Sequence, residues 1–389
     1  MNTLSYVSSF IIGAGILQGV FLAVILLSIG KGNKRANRIL AFLLLTFSIN
    51  ITHSVLFADL IYKQNNPLMK INEPFQLLLG PLTFFYIREL TSPLNRFKKA
   101  DIFHILPFGL YSLMILFSPK IEAWHSFLKQ YSSTATVFIW SIILTHIVSY
   151  TIAAVHCSEL HRKRIKECYS DIDRINLNWL KYMLCILLAV YLIYFVLLVW
   201  LIHGSNPFPH FQKVICIILS ISVFGFGYRG LTQPEIFNNN LPDNEISLEK
   251  MQLESICTDE NPSPKYEHSG LDAMEADEIS KKLSAFMDEE KPYLNPELTL
   301  PDLASMLEIP RNRLSQVLNE KLGMNFYDFI NGYRIKRVQE LMADPSYQYM
   351  KILAVAFDAG FSSKATFNNF FKKYTGVTPS EYRRQLETK

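Results

Sequence analysis

The sequence predicts an all-α protein of 389 residues, with a membrane-embedded N-terminal half and an all-helical C-terminal domain. Three observations support this fold class. Apolar stretches recur through residues 1–230, although the mean hydropathy of the whole chain is only +0.16. Residues 231–276 are acidic and show no sustained apolar periodicity. Residues 277–389 carry apolar side chains spaced three and four positions apart, which is the pattern of one buried helix face.

Charge is distributed unevenly along the chain and supports the same division. Residues 1–230 hold 20 of the 38 lysines and arginines but only 9 of the 34 acidic residues. Residues 231–276 hold 10 acidic residues against 2 lysines, together with many Asn, Pro and Ser. Such a composition buries little apolar surface and predicts a flexible acidic linker. The net charge of +4 is therefore an average over three different regions.

Seven apolar stretches in the first region are candidate membrane-spanning helices. A helix needs about 20 apolar residues to cross the hydrocarbon core, and most of the stretches approach that length. The third and fourth are marginal, which leaves six spans as an alternative to seven. The stretches cover residues 6–29, 39–61, 72–87, 102–118, 134–156, 179–202 and 211–228.

The positive charges between these stretches predict the orientation of the bundle. If the N-terminus lies outside, the inner loops hold 13 lysines and arginines and the outer loops hold 5. Loops rich in Lys and Arg stay on the cytoplasmic side of a membrane. An odd number of spans then places everything after Arg229 in the cytoplasm. We therefore expect a multi-pass protein of the inner (cytoplasmic) membrane, with the lipid bilayer as one partner.

A few polar side chains interrupt the apolar stretches. Polar groups inside a membrane are rare and often functional, so they form a candidate ligand pocket for a small-molecule signal. The alternative is that each makes one interhelical hydrogen bond and nothing more. The pocket residues are Asn50, His53, Gln76 and His146.

The sequence contains no recognisable pattern for catalysis or metal binding. None of the 5 cysteines are spaced as CxxC, and no histidine neighbours them at metal-ligand spacing. No nucleophile elbow or phosphate-cradling Gly-rich loop is visible among the apolar stretches. We therefore expect a protein that is not an enzyme, with no catalytic residue, metal or cofactor.

The C-terminal region contains one helical unit twice. An apolar stripe followed by a glycine recurs with a constant offset of 53 positions, and a shorter helix precedes each stripe. Two helices, a tight turn between them and a polar outer face on the second helix are the features of a helix-turn-helix unit. A long helix that begins after Asn325 joins the two units. The repeated residues are Leu314, Val317, Leu318 and Gly323, matched by Phe367, Phe370, Phe371 and Gly376.

Two segments carry a resemblance to a known family. The stretch "GFSSKATFNNFFKKYTGVTPSEYRR", with "LASMLEIPRNRLSQVLNEKLGMNFYDFINGYRIKR" upstream, resembles the DNA-binding domain of AraC-type transcription regulators over about residues 280–386. The resemblance implies two recognition helices that enter successive major-groove segments of DNA. The whole chain is similar to a subgroup in which several membrane spans replace a soluble sensor domain. Pro310, Ala365 and Asn369 depart from residues that members often carry.

Helix geometry and the resemblance together select the expected DNA-contacting residues. Asn and Gln can pair with adenine, and Arg with guanine, whereas phosphate contacts position the protein without specifying sequence. We expect phosphate contacts from Lys364, Lys372, Lys373, Arg334 and Arg337. The expected DNA-binding residues are Arg311, Asn312, Arg313, Gln316, Ser363, Lys364, Ala365, Asn368, Asn369 and Lys372.

These features favour a membrane-embedded, one-component transcription regulator. The spans would sense a signal, the domain of residues 277–389 would bind promoter DNA, and a second copy of the chain is a candidate homodimer partner. A membrane transporter or enzyme with an appended DNA-binding domain is the alternative, although the inverted repeats typical of transporters are not evident. A bundle that serves only as an anchor is a third interpretation.

The charge bias yields a test of topology. Reporter fusions after Gly32 and after Phe237 are expected to report cytoplasm, and a fusion near Asn65 is expected to report the outside, because Lys and Arg are concentrated in the inner loops. Paired alkaline phosphatase and green fluorescent protein fusions measure both sides. A C-terminal fusion that reports the outside would rule out contact between the last domain and DNA.

Overall fold

The computed structural model describes residues 3–29, 33–56, 73–91, 98–117, 132–173, 175–202, 208–232 and 272–387. Over these residues the secondary structure is helical, and the sole bridge of β type joins Tyr169 to Thr299. The all-α prediction is therefore confirmed for the described part of the chain. The chain divides into two compact units. The first contains Met1–Glu159 and Leu177–Asp243, and the second contains Leu160–Asn176 and Asn244–Lys389.

The helices of the first unit coincide with the seven apolar stretches predicted from sequence. Four contain segments long and apolar enough to cross a membrane, namely Tyr6–Ser28, Lys34–Val55, Val137–Cys168 and Asn178–Trp200. Seven spans and an outside N-terminus stay predictions. The helices are α1 (Thr3–Ser28), α2 (Lys34–Leu56), α3 (Gln76–Thr91), α4 (Leu106–Phe117), α5 (Ser132–Cys168, in the first unit as far as Glu159), α6 (Asn178–Ile202) and α7 (Phe208–Thr232).

Close packing of α1 against its neighbours depends on small residues. A Cβ atom added to Gly15 would lie 2.4 Å from Cβ of Ser220, and one added to Gly19 would lie 2.2 Å from Oγ of Ser48. Both distances are too short for real atoms, so a larger side chain would force α1 away from α7 or α2. Gly15 and Gly19 therefore permit close helix contact, whereas Gly13 has open space around the same position.

The second unit contains seven further helices in its described residues, arranged around two hydrophobic cores. Ile279, Leu303 and Leu314 belong to the first core, and Val355 and Phe367 belong to the second. The helices are α8 (Ala273–Glu289), α9 (Leu300–Met306), α10 (Arg311–Gln316, extended by a π-helical turn over Val317–Lys321), α11 (Phe326–Ala343), α12 (Ile352–Asp358), α13 (Lys364–Thr375) and α14 (Pro379–Glu387).

Helix α11 joins the two cores because it is apolar on more than one side. Phe326 and Ile330 contribute to the first core, whereas Ile335 and Val338 contribute to the second. A helix with apolar residues on only one side could pack against only one core. The helix therefore holds the two helical units together by packing against both.

The segment Leu160–Asn176 also belongs to the second unit, which the sequence did not predict. Its Ile165 and Ile172 are buried members of the second core. The predicted boundaries at residues 230 and 276 stay predictions, and residues 233–271 of the proposed linker lie outside the described residues.

Side-chain caps mark where four helices of the second unit begin. Each cap side chain accepts a hydrogen bond from a backbone N–H of the first turn, which would otherwise lack a partner. The C-terminal stop of α13 is Gly376, in the left-handed conformation with φ of 78°. The caps are Thr299 with Asp302 for α9, Asn325 for α11, Ser363 for α13, and Thr378 with Glu381 for α14.

Two glycines of the second unit give a matched test of backbone packing. Gly360 has φ of 93°, and an added Cβ would lie 2.3 Å from the carbonyl oxygen of Tyr293. Gly376 has φ of 78° and open space around the same position. Gly376→Ala is expected to cost about 1–2 kcal/mol, because only the left-handed backbone is strained. Gly360→Ala is expected to cost roughly 1–3 kcal/mol more, because the added atom also overlaps backbone.

Urea-dependent pulse proteolysis of the full-length protein measures this difference through cleavage of the C-terminal helices. Equal losses for the two variants would show that the contact between Gly360 and Tyr293 does not constrain the fold.

Candidate nucleic-acid interface

The first helix-turn-helix unit is formed by α9, a turn and α10. Asp302 and Thr299 satisfy each other's backbone N–H groups, which fixes where α9 begins. Leu300, Leu303 and Ala304 are buried, and the small alanine permits close approach of α10. Pro310 precedes α10 without a side-chain cap, as the departure from the family pattern implied. The unit thus presents the start of α10 at its surface.

The second unit is formed by α12, the turn Ala359–Phe361 and α13. The turn is tight because Gly360 adopts a positive φ of 93° and lies against the carbonyl of Tyr293. Ser363 accepts the N–H of Thr366 at 3.4 Å and so fixes the start of α13. Phe367, Phe370 and Phe371 are buried beneath it. The opposite face of α13 is consequently turned to solvent.

The expected DNA-binding residues differ in how far they are exposed. On α13 itself, the outward face predicted from the phenylalanine stripe is the exposed one. On α10 the result is mixed. The exposed residues are Asn312, Lys364, Ala365, Asn368, Asn369 and Lys372; Arg311, Arg313 and Ser363 are half-buried, and Gln316 is buried.

Gln316 and Arg313 already have partners within the second unit. The side-chain amide of Gln316 donates to Glu320 at 2.7 Å, and only 6% of the residue is exposed. The guanidinium of Arg313 forms an ion pair with Glu275 of α8. The expectation that Gln316 points outward is therefore corrected. Glu320 lies four positions later, on the same side of the helix, and holds the amide of Gln316 along the helix surface. Contact of either residue with DNA stays a prediction and requires these bonds to open.

Arg334 does not serve phosphate, contrary to the expectation from sequence. The residue is 1% exposed, and burial lowers the pKa of its guanidinium to about 10. All five N–H donors of the side chain have acceptors. Nε donates to the carbonyl of Tyr293 at 2.8 Å. Nη1 donates to the carbonyl of Ser170 at 3.1 Å and to Oδ1 of Asn331 at 3.2 Å. Nη2 donates to Oγ of Ser170 at 3.1 Å and to the carbonyl of Asn295 at 2.7 Å.

Other basic residues of the second unit are placed differently from Arg334. Arg337, one turn later on α11, pairs with Glu340 at 2.9 Å and remains partly exposed. Lys373 donates to Asp328 at 3.0 Å. Lys364 and Lys372 are exposed on α13. Lys364 and Lys372 therefore remain the best-placed candidates for phosphate contact.

Residues of the segment Leu160–Asn176 lie beside both helix-turn-helix units, and sequence reasoning missed them. Oε2 of Glu167 accepts a hydrogen bond from Asn319 at 2.8 Å, next to α10. Oδ2 of Asp173 accepts one from Thr366 at 2.6 Å, in the first turn of α13. Long-range pairing of this kind has no local sequence pattern. The only available signal was that Ile165 and Ile172 are apolar within a charged stretch.

The residues of the candidate ligand pocket lie on three helices of the first unit. Asn50 and His53 are buried on α2, and the amide of Asn50 donates to the carbonyl of Thr46 at 2.9 Å. Gln76 is buried at the start of α3. The ring of His146 on α5 lies 4.7 Å from the ring of Tyr150. For Asn50, this bond lies within its own helix and is not the interhelical hydrogen bond of the alternative interpretation. A shared pocket stays a prediction.

Among the described residues, no group of three or more His, Cys, Asp or Glu is arranged to hold a metal ion.

Comparison with known proteins identifies the C-terminal part of the chain. Residues 303–385 match the family model described as "Helix-turn-helix domain". This region is therefore similar to helix-turn-helix domains. The match runs from within α9 to within α14, and it includes α10, the joining helix α11 and the second two-helix unit.

Relatives are similar to this chain over about a third of its length. An uncharacterized HTH-type transcriptional regulator of Staphylococcus aureus (strain COL) is 29% identical over 120 residues, covering 31% of this chain and 15% of the relative. The Msm operon regulatory protein of Streptococcus mutans is 24% identical over 115 residues, covering 28% of this chain and 40% of the relative. The chain thus spans less than half the length of these relatives.

A solved structure of a protein of unknown function from Listeria innocua is 26% identical, with a TM-score of 0.23, and covers 27% of this chain and 94% of that one.

The environment of Arg334 yields a test of stability with a control on the same helix. Arg334→Met is expected to lower the free energy of unfolding of the second unit by about 3–5 kcal/mol. The substitution leaves several buried carbonyl groups without donors, at about 1–3 kcal/mol each. Arg337→Met removes only a partly exposed ion pair and is expected to cost less than about 1 kcal/mol.

Pulse proteolysis in urea and hydrogen exchange of the α11 amides measure both variants in the full-length protein. A loss for Arg334→Met no larger than that for Arg337→Met would mean that the buried hydrogen bonds are replaced by water.

Proposed function

We propose that the protein is a membrane-embedded, one-component transcription regulator that binds promoter DNA through two helix-turn-helix units. The observation that carries this proposal is the exposed polar face of α13, with Lys364, Asn368, Asn369 and Lys372, within the AraC-type domain. Two relatives that share the domain are named as a transcriptional regulator and an operon regulatory protein. Amide side chains read base edges, and lysines bind phosphate, so this face has the chemistry of a DNA-binding surface.

The surface of the first unit supports embedding in a lipid bilayer. On α1, Phe10 is 77% exposed and Leu17 is 73% exposed, and large apolar residues on α4, α5 and α6 are exposed as well. Apolar surface of this extent is costly in water and is typical of helices that face lipid. With the charge bias of the loops, it supports a multi-pass protein of the inner membrane whose helix-turn-helix domain lies in the cytoplasm.

A membrane-embedded unit linked to a DNA-binding unit suggests control by a signal. We propose that the first unit senses it, with Asn50, His53, Gln76 and His146 as candidate contacts for a small molecule. Pairing of two copies would raise the effective concentration of one DNA-binding domain beside another. A homodimer is therefore part of the proposal, with the bilayer holding both copies in one plane.

The DNA-binding proposal is tested with the full-length protein in lipid nanodiscs. We expect it to enrich a defined DNA sequence from a random pool, with affinity that falls steeply as salt rises because phosphate contacts release counterions. Asn312→Ala is expected to cost about 1–3 kcal/mol at particular base pairs and little elsewhere. Lys372→Ala is expected to weaken binding to all sequences alike.

Fluorescence anisotropy on the enriched site and its single-base variants gives these energies. Failure to enrich any sequence would overturn the proposal. An equal loss of affinity for every sequence with Asn312→Ala would show that α10 does not read bases through this residue.

A further inference from the structure

The segment Leu160–Asn176, here called the arm, contacts the first helix-turn-helix unit immediately before α9. The N–H of Ser170 donates to the carbonyl of Leu298 at 3.2 Å, and its Oγ donates to the carbonyl of Pro296 at 3.3 Å. Tyr169 forms an antiparallel bridge with Thr299, which caps α9. The arm therefore fixes the start of the first unit through its backbone.

The same arm contacts the second helix-turn-helix unit through side chains. Ile165 is 5% exposed and Ile172 is 6% exposed, and both pack in the core beneath α13. Asp173 accepts the hydroxyl hydrogen of Thr366, and Asp171 accepts that of Ser362. Both acceptors lie at the N-terminal end of α13. The arm thus fixes the start of the second recognition helix as well.

Ser170 connects these contacts to the helix between the two units. It is 1% exposed, and its carbonyl accepts hydrogen bonds from Asn331 at 3.2 Å and from Arg334 at 3.1 Å, both on α11. One residue of the arm is therefore bonded to the joining helix and to the entry of α9. The relative placement of α10 and α13 depends on these bonds, because α11 and the arm both touch each unit.

The docked arm leaves the expected DNA-reading residues open. Asn312 on α10 is exposed, and so are Lys364, Asn368, Asn369 and Lys372 on α13. An inhibitor that acts by covering the DNA-binding surface would bury such residues. The arm instead touches Asn319, Ser362 and Thr366 beside them. Its position is that of a support for the two recognition helices.

We propose that the arm is a positioning element that sets the spacing between the recognition helices α10 and α13, and that tight binding to two adjacent DNA segments requires it to be docked. This proposal rests on the proposed function. Two recognition helices held at one spacing bind a matching pair of DNA segments without further loss of conformational entropy. Two loosely joined units lose that entropy when they bind. Spacing is therefore the property that the arm controls.

The arm also supplies a route for control by the first unit. It begins within α5, whose residues as far as Glu159 belong to the first unit, and it ends where the chain returns to that unit at Leu177. The arm has only 17 residues. A movement of α5 would displace its first end, and a movement of α6 would displace its second end. Undocking of the arm would relax the spacing of the recognition helices and weaken DNA binding.

A triple substitution, Glu167→Gln with Asp171→Asn and Asp173→Asn, tests the proposal in the full-length protein. The matched control neutralises three exposed carboxylates of the second unit away from the arm, Glu289→Gln with Glu290→Gln and Asp358→Asn. Both variants lose three negative charges. Loss of negative charge would strengthen binding to DNA in both variants, and more strongly for carboxylates beside the recognition helices. Weaker binding by the arm variant alone therefore reports the lost contacts.

Two DNA probes are used, the enriched site and the same site lengthened between its two halves by about 5 base pairs, half a helical turn. We expect the wild type and the control to bind the first probe far more tightly than the second. The arm variant is expected to bind the first probe about tenfold more weakly, which corresponds to about 1.4 kcal/mol, and to discriminate less between the probes. Unchanged binding with full discrimination between the probes would overturn the proposal. Tighter binding with full discrimination would also overturn it and would identify the arm's carboxylates as inhibitory.

A cross-link between the arm and the second unit gives a second measurement that does not depend on destabilised variants. Cysteines replace Asp171 and Ser362, whose side chains are hydrogen-bonded, and a short bismaleimide joins them, with peptide mapping to verify the product. We expect the cross-linked protein to retain specific binding and spacing discrimination. Loss of binding on cross-linking would show that the arm must leave before DNA is bound. If the wild type binds no DNA, the proposed function fails together with this inference; if only the arm experiments fail, the proposed function stands.

Discussion

A buried guanidinium organises the second unit. Arg334 cannot keep its charge away from water without accepting groups on every side, because an uncompensated buried cation is very costly. The acceptors come from three separate parts of the chain: the entry to α9, α11 itself, and the segment 160–176. These parts must meet at one point for the side chain to be satisfied. Their meeting fixes the surroundings of both helix-turn-helix units.

The neutral acceptors around Arg334 have a structural consequence. Four of its five hydrogen bonds end on oxygens of Tyr293, Ser170 and Asn295, and three of these oxygens are backbone carbonyls. Carbonyl groups are placed by the course of the chain, so the interaction specifies backbone geometry more than side-chain identity. Buried polar groups with complete hydrogen bonding favour one arrangement over its competitors. This arrangement keeps α9, α11 and the arm in register, and with them the exposed faces of α10 and α13.

The two units of the protein expose opposite kinds of side chain. In the second unit the phenylalanines of α13 are buried and its Asn and Lys residues face water. In the first unit large apolar residues such as Phe10 and Leu17 are exposed, while buried polar residues such as Asn50 bond to backbone carbonyls. The inversion fits the proposed embedding of the first unit in lipid, because hydrocarbon penalises exposed polar groups and water penalises exposed apolar ones. A chain with both patterns is suited to connect a bilayer with a polyanion in solution.

The sequence by itself determined the features that depend on near neighbours. Apolar stretches, stripes at helical spacing, caps such as Thr299 with Asp302 and stops such as Gly376 predict helices and turns, because each rests on contacts within a few residues. In the same way, the apolar stripe of α13 predicted which of its residues are exposed. Only the tertiary structure decided which charges are buried and which segments meet. Arg334 and Arg337 look alike on one helix, yet one is buried and the other lies near the surface. Ser170 reaches Arg334 across 164 positions of sequence, a distance over which no local pattern operates. The physical reason is that burial is a property of the assembled cores, and these form only when distant segments pack together.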